Sequence, residues 1–316
     1  MTKLTIISLR YFISVCLLCV LAGCSCLTKT QISGINSYSC LLESFVEYPS
    51  CILKEFIELK FQVELLNTGT FNDTAVNSKL WNSYNGKQKS LKKAEKMDIG
   101  IKVLREYASA LENLSSKELS EHVAKGPKKL GSGMDTLLAI YNMKNDKKVP
   151  KGMGKLVTSS ISFLGSSYVK HRQANDLKMY IKEGDSLISV ITETLKAELS
   201  AMVLNEWLIV LKEDLKNRQI NFLQNIPRSE YKVFIANVYN KEVAILIARI
   251  DTLEQLTKKT ISSIDKINKA HKQLLSHIQE RRKMDSILSE TQELYVSVKE
   301  MYDSYHVLIT NQSMAK

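Results

Sequence analysis

The stretch LIARIDTLEQLTKKTISSIDKINKAHKQLLSHI, Leu246–Ile278, decides the fold. Within it Leu246, Ile250, Leu253, Thr257, Thr260, Ile264, Ile267, His271, Leu274 and Ile278 follow one another at alternating steps of four and three. Such steps place them along one side of an α-helix, whereas a strand would bring apolar residues to one face at every second position. Seven of the ten are apolar, which makes the seam coiled-coil-like and in need of partner helices. Those partners come from the same chain or from a second copy, so a homo-oligomer stays open at this point.

Outward from that seam, helix breakers are scarce: four prolines, at 49, 127, 150 and 227, and twelve glycines in 316 residues. The apolar spacing predicts helices over 36–66, bent near Pro49, and over 74–114, 117–144, 153–182, 185–223, 229–283 and 285–310. Asp185 and Ser229 are read as N-caps, since a short polar side chain accepts from the free amides of a first turn. Residues 67–73 and 145–152 read as loops from their turn-forming composition. Along 104–114, Leu104, Ala108, Leu111 and Leu114 are placed inward, with Tyr107 at the border of the buried face. Helices of about 30–50 residues extend for about 45–75 Å. They predict an all-α fold, an elongated antiparallel bundle with coiled-coil-like packing over 36–316. An alternative divides it into two sub-bundles hinged near 144–152.

The N-terminus carries a different signal. Lys3 and Arg10 precede the apolar run from Tyr11 to Val20, the layout of an export signal. Gly23, Cys24 and Ser25 end the apolarity too soon for a membrane span, which needs about 20 apolar residues. Leu21-Ala22-Gly23-Cys24 resembles the lipobox of bacterial lipoproteins. The resemblance implies removal of residues 1–23, a lipidated Cys24 bearing acyl chains such as palmitate, and a tether over 24–35. Two chains already suffice for stable anchoring. Ser25, in place of Asp, would direct such a lipoprotein to the outer membrane in enteric-type bacteria, facing the periplasm or the exterior. Plain secretion is the alternative reading of the same small-residue site.

All six cysteines lie at or before position 51. With Cys16 and Cys19 removed and Cys24 lipidated, an oxidising compartment allows a disulfide between Cys40 and Cys51. On one straight helix their spacing would separate them by about 16 Å, beyond the roughly 7 Å Cα limit, so the bond requires a turn at Tyr48-Pro49-Ser50. Two buried thiols are the alternative.

The chain has 44 basic and 33 acidic residues; loss of Lys3 and Arg10 leaves 42 against 33, a net charge of +9. Two basic clusters carry much of it: Lys87, Lys89, Lys92, Lys93 and Lys96 on a predicted helix, and Lys144, Lys147, Lys148, Lys151 and Lys155 in or beside a loop. Clusters of this size attract anionic lipid at about 1 kcal/mol per charge near a surface; the plainer reading is a solvated helix face and loop. No nucleic-acid motif accompanies the charge, so nucleic acid is not an expected partner.

Catalytic signals are lacking. The sequence has no P-loop, no G-x-G-x-x-G, no G-x-S-x-G and no H-E-x-x-H, and its five histidines are scattered without a Glu three residues before any of them. No metal ligands, cofactor or catalytic residues are expected. Gly131-Ser132-Gly133 and Gly152-Met153-Gly154 read as breaks or close-packing points. The weakly charged stretch 153–169, with small residues near four-residue spacing, reads as a tightly packed internal helix, or alternatively as the inserting segment of a pore-former. The expected function is thus a lipid-anchored envelope scaffold or partner-binding protein without catalysis, with the membrane and an unknown protein as partners. The alternatives are a membrane-active helical protein and an envelope enzyme with an unrecognised site.

Overall fold

The computed structural model describes residues 27–66, 73–115, 125–161, 169–205, 208–225, 231–280 and 285–314. Helix α1 (Lys29–Phe45) leads through a turn at Val46 and Glu47 into α2 (Tyr48–Leu66). There follow α3 (Asp73–Ser115), α4 (Lys125–Lys144), α5 (Met153–Ile161), α6 (Val169–Leu199), a π-helical segment at Ser200–Asn205, α7 (Leu208–Asn225), α8 (Tyr231–Glu280) and α9 (Asp285–Met314). No strand occurs among the described residues, and the fold is an all-α bundle.

All ten seam residues of α8 are buried. The two threonines meet the burial rule within their own helix: Thr257 donates to the Leu253 carbonyl at 2.7 Å and Thr260 to that of Leu256 at 2.8 Å. Helices of the same chain cover the seam. Gln31 lies beside His277, Tyr38 beside His271, and Glu55 beside Arg249, so α1 and α2 run antiparallel to α8. Helix α6 does the same, with Lys196 reaching Asp265 at 2.6 Å. Helix α9 folds back on α8, where Lys266 donates to Ser297 at 2.6 Å. Helix α3 descends along α1 and α2, with Arg105 on Glu47 at 2.6 Å and Lys87 on Glu58 at 2.7 Å.

Several expected boundaries move. The first helix starts at Lys29 rather than 36, because Thr28 and Gln31 form a reciprocal capping box: Gln31 N donates to Thr28 Oγ1 at 3.1 Å and Thr28 N to Gln31 Oε1 at 2.9 Å. Residues 29–35, expected as part of a tether, are helical. Pro49 sits in the first turn of α2, where its missing N–H costs no helical bond. The break expected between 182 and 185 is absent, and α6 runs straight through it. Tyr107, expected at the border, is fully buried. The helix expected over 153–182 is divided between α5 and α6; residues 162–168 between them, Gly165 included, lie outside the described residues, as do Pro227 and Ser229.

The glycines of the α4–α5 hairpin act in close packing. A Cβ on Gly154 would stand 1.9 Å from the Gly131 carbonyl oxygen, and one on Gly131 would stand 2.2 Å from Thr158 Oγ1. Between the helices Asn142 brackets Val149, accepting from its N–H at 2.8 Å and donating to its carbonyl at 3.0 Å. Gly152 takes φ +83°, a conformation that suits glycine. Met134, Leu138, Met153 and Val157, from both sides of this loop, belong to one core with the long helices. No described helix is long and apolar enough to cross a membrane.

One buried ion pair fastens α8 to α2. Arg249 donates to Glu55 Oε1 from Nε at 3.0 Å and from Nη2 at 2.7 Å, and from Nη1 to Gln62 Oε1 at 2.6 Å. Its side chains are 7% and 5% exposed, so removing one partner strands a charge in a dry site. Glu55→Ala should lower unfolding free energy by about 3–5 kcal/mol in denaturant titrations, and pairing Arg249→Met with Glu55→Leu should restore most of it. Equal losses in the single and double variants would show that the pair does not act as a unit.

Candidate functional site

The antiparallel course of α3 and α4 brings the C-terminal end of α4 and the loop after it beside the middle of α3. Lys93 and Lys96 from the first basic cluster and Lys144 and Lys147 from the second therefore line one cavity of about 310 Å³. Helix α6 closes its third side with Ile191, Thr194, Leu195, Ala197 and Glu198. The apolar floor consists of Met97, Gly100, Tyr141, Ile191 and Leu195. Gly100 preserves the depth: a Cβ there would already lie 3.2 Å from Ile191 Cγ2 and 3.3 Å from the Tyr141 ring.

The rim is unevenly charged. Lys147 is engaged by Glu193 at 3.2 Å, and this hydrogen bond holds the Glu193 carboxyl below its ordinary range. Lys93, Lys96 and Lys144 make no ion pair among the described residues. Against the four lysines stand the carboxylates of Asp146 and Glu198. Such a rim suits an anionic group, because ammonium groups act as compact point charges toward phosphate or carboxylate.

The other lysines of the two clusters have different surroundings. Lys87 is held by Glu58 and lies 4.3 Å from the Phe61 ring centroid. Lys148 donates to the carbonyls of Asn142 and Asn145, closing the end of α4. Lys89, Lys92, Lys151 and Lys155 are exposed and do not line the cavity. Cys24 lies outside the described residues. Cys40 and Cys51 are free thiols, so the pairing left open above is not made. Nor are both buried: Cys40 is exposed on α1, and half-buried Cys51 lies 3.6 Å from the Tyr305 hydroxyl. Among the described residues no group of His, Cys, Asp and Glu could hold a metal ion.

A second polar constellation escaped the sequence reading. His271, fully buried on α8, joins α3 to α6: Tyr107 Oη lies 2.7 Å from its Nε2 and Asp185 Oδ1 3.2 Å from its Nδ1. The carboxylate can only accept, so Nδ1 carries the proton and the Tyr107 hydroxyl donates to Nε2 of the neutral ring. Asp185 is thus a mid-helix partner of His271 and not an N-cap. Gly184 makes this approach feasible, since a Cβ there would meet the Tyr107 hydroxyl at 2.3 Å. Tyr107 also stacks on Tyr180 with centroids 5.1 Å apart, and Tyr38 lies 5.6 Å from His271. Burial pushes the phenols of Tyr38, Tyr107 and Tyr180 upward. Burial also holds His271 below its ordinary value, outweighing the Asp185 contact, while the hydrogen bond from His271 lowers the Asp185 carboxyl. The one available signal was His271 standing in a seam of otherwise apolar or hydroxyl residues.

Compared with protein-family models, curated proteins and solved structures, the chain has no significant match.

Two outcomes follow from the histidine cluster. The unfolded chain takes a proton on His271 near pH 6.5, which the folded state resists, so its contribution is present above that pH and is lost as pH falls. Asp185, with a depressed folded value, contributes above about pH 3.9 and loses that contribution further down. Melting temperature should therefore fall between pH 7.5 and 5, and His271→Gln should flatten that decline; an unchanged slope would refute the assignment. Tyr107→Phe, which strips Nε2 of its donor, should cost about 1–3 kcal/mol. Tyr180→Phe, whose hydroxyl has no partner among the described residues, should be neutral or stabilising.

Proposed function

We propose that this chain is a lipid-tethered protein of the bacterial envelope, without catalytic activity, that binds an anionic group of a partner molecule in the lysine-rimmed cavity. The carrying observation is the meeting of Lys93 and Lys96 with Lys144 and Lys147, about 50 residues apart in sequence, over one apolar floor. A solvated helix face would leave these lysines on separate surfaces. The tether reading rests on Leu21-Ala22-Gly23-Cys24 and the apolar run before it. Long helices packed on a buried seam suit a rigid presenting scaffold, with Lys93, Lys96 and Lys144 fixed on helices.

Metabolic labelling with a fatty-acid analogue should tag the protein, and Cys24→Ala should abolish the tag; a tag that survives overturns the anchor. For the cavity, the doubly reversed variant Lys96→Glu with Lys144→Glu should bind inorganic phosphate at least tenfold more weakly by calorimetry. Wild-type binding should weaken as salt rises, since exposed charges are screened. Binding indifferent to both charge reversal and salt would remove the anionic reading.

A further inference from the structure

We infer that the occupant of this cavity is a single-chain anionic amphiphile, with a phosphate or carboxylate head at Lys93, Lys96 and Lys144 and the first carbons of an alkyl chain on the floor. This rests on the anion-binding reading above and names the ligand class for the same site. Three features carry it.

First, much of the surface shared by the lysines is apolar, with Thr194 and the Tyr141 hydroxyl bonded to it as a polar edge. Beneath them lie Met97, Ile191 and Leu195, and Gly100 withholds a side chain that would raise the floor. A bare inorganic ion would satisfy the rim and leave that apolar surface wet. A neutral hydrocarbon would cover the floor but desolvate ammonium groups without giving them a partner. A molecule that is charged at one end and apolar at the other meets both demands.

Second, about 310 Å³ stands at the small end of ligand sites, which run from about 300 to 1,000 Å³. The space, bounded by three helices and the loop after α4, is too small for the paired chains of a diacyl lipid and leaves room for a head and part of one chain. Third, the rim is self-limiting in charge. Glu193 occupies Lys147, and Asp146 and Glu198 border the same opening. These carboxylates disfavour a head with many negative charges and leave the three unpaired lysines for a compact one.

The test uses the full chain held in phosphatidylcholine nanodiscs, titrated calorimetrically with hexyl phosphate, hexanoate, inorganic phosphate and hexanol, with empty nanodiscs subtracted. Hexyl phosphate is expected to bind at least tenfold more tightly than inorganic phosphate, hexanoate measurably, and hexanol not at all. Ala197→Trp, at the exposed mouth, should weaken hexyl phosphate at least tenfold. Equal affinities of the wild type for hexyl phosphate and inorganic phosphate would overturn the amphiphile and leave anion binding standing. Binding of hexanol as tight as hexyl phosphate, or no binding of any anion, would overturn both. The ligand comparison on the wild type needs no variant, so a misfolded Ala197→Trp protein would not rescue the proposal.

Discussion

Everything in this bundle depends on keeping one face of a fifty-residue helix dry. The face of α8 is not purely apolar, and each polar member must be satisfied before neighbours can close over it. Thr257 and Thr260 turn back on their own helix, while His271 recruits a phenol from α3 and a carboxylate from α6. The imidazole thereby fixes the rotation of three helices about one another, a specificity that apolar contacts alone would not impose. Arg249 does the same for α2 through Glu55 and Gln62. The polar groups cost desolvation, but they define which neighbour belongs where.

The helices and the seam were legible because periodicity is a local property: step lengths of three and four can be counted without knowing what lies opposite. Leu246, Ile250 and Leu253 are buried for the reason their spacing gives. The errors fall where a residue answers to a distant partner. Asp185 reads as an N-cap because a short polar side chain ahead of an apolar run ordinarily is one. In the structure it bonds His271 in mid-helix, and Gly184 beside it makes room for Tyr107. Tyr107 was placed at a border because a phenol usually keeps its hydroxyl wet, but here an imidazole replaces the water. The start at Lys29 was a different kind of miss, since the Thr28–Gln31 capping signature is local and was available to read.

The cavity was half legible. Both lysine clusters were visible as runs of charge, and nothing in either run indicated the other. Their meeting depends on how α4 lies against α3, and the close contact of Gly131 with Gly154 shows how tightly the α4–α5 hairpin is drawn together. Only some of the lysines in each run face the shared space; Lys87 and Lys148 hold Glu58 and the end of α4 instead. The π-helical segment at Ser200–Asn205 is likewise invisible to a 3.6-residue reading. Leu199 just before it and Leu208 at the start of α7 are both buried.

The early start of α1 sets a height. Four residues lead from Cys24 to Thr28, and even fully extended they span only about 14 Å. Ser115, at the end of α3, meets Asn36, eight residues and so about 12 Å beyond Thr28 along α1, and Lys96 lies nineteen residues farther back along α3, about another 28 Å at 1.5 Å per residue. With lipid on Cys24 and the bundle upright, the cavity would stand farther from the bilayer surface than that surface's own hydrocarbon core, roughly 30 Å, is thick. A molecule entering it would then arrive through the aqueous layer or from a facing structure, and a leash of that length from a lipidated Cys24 would keep the opening clear of the bilayer.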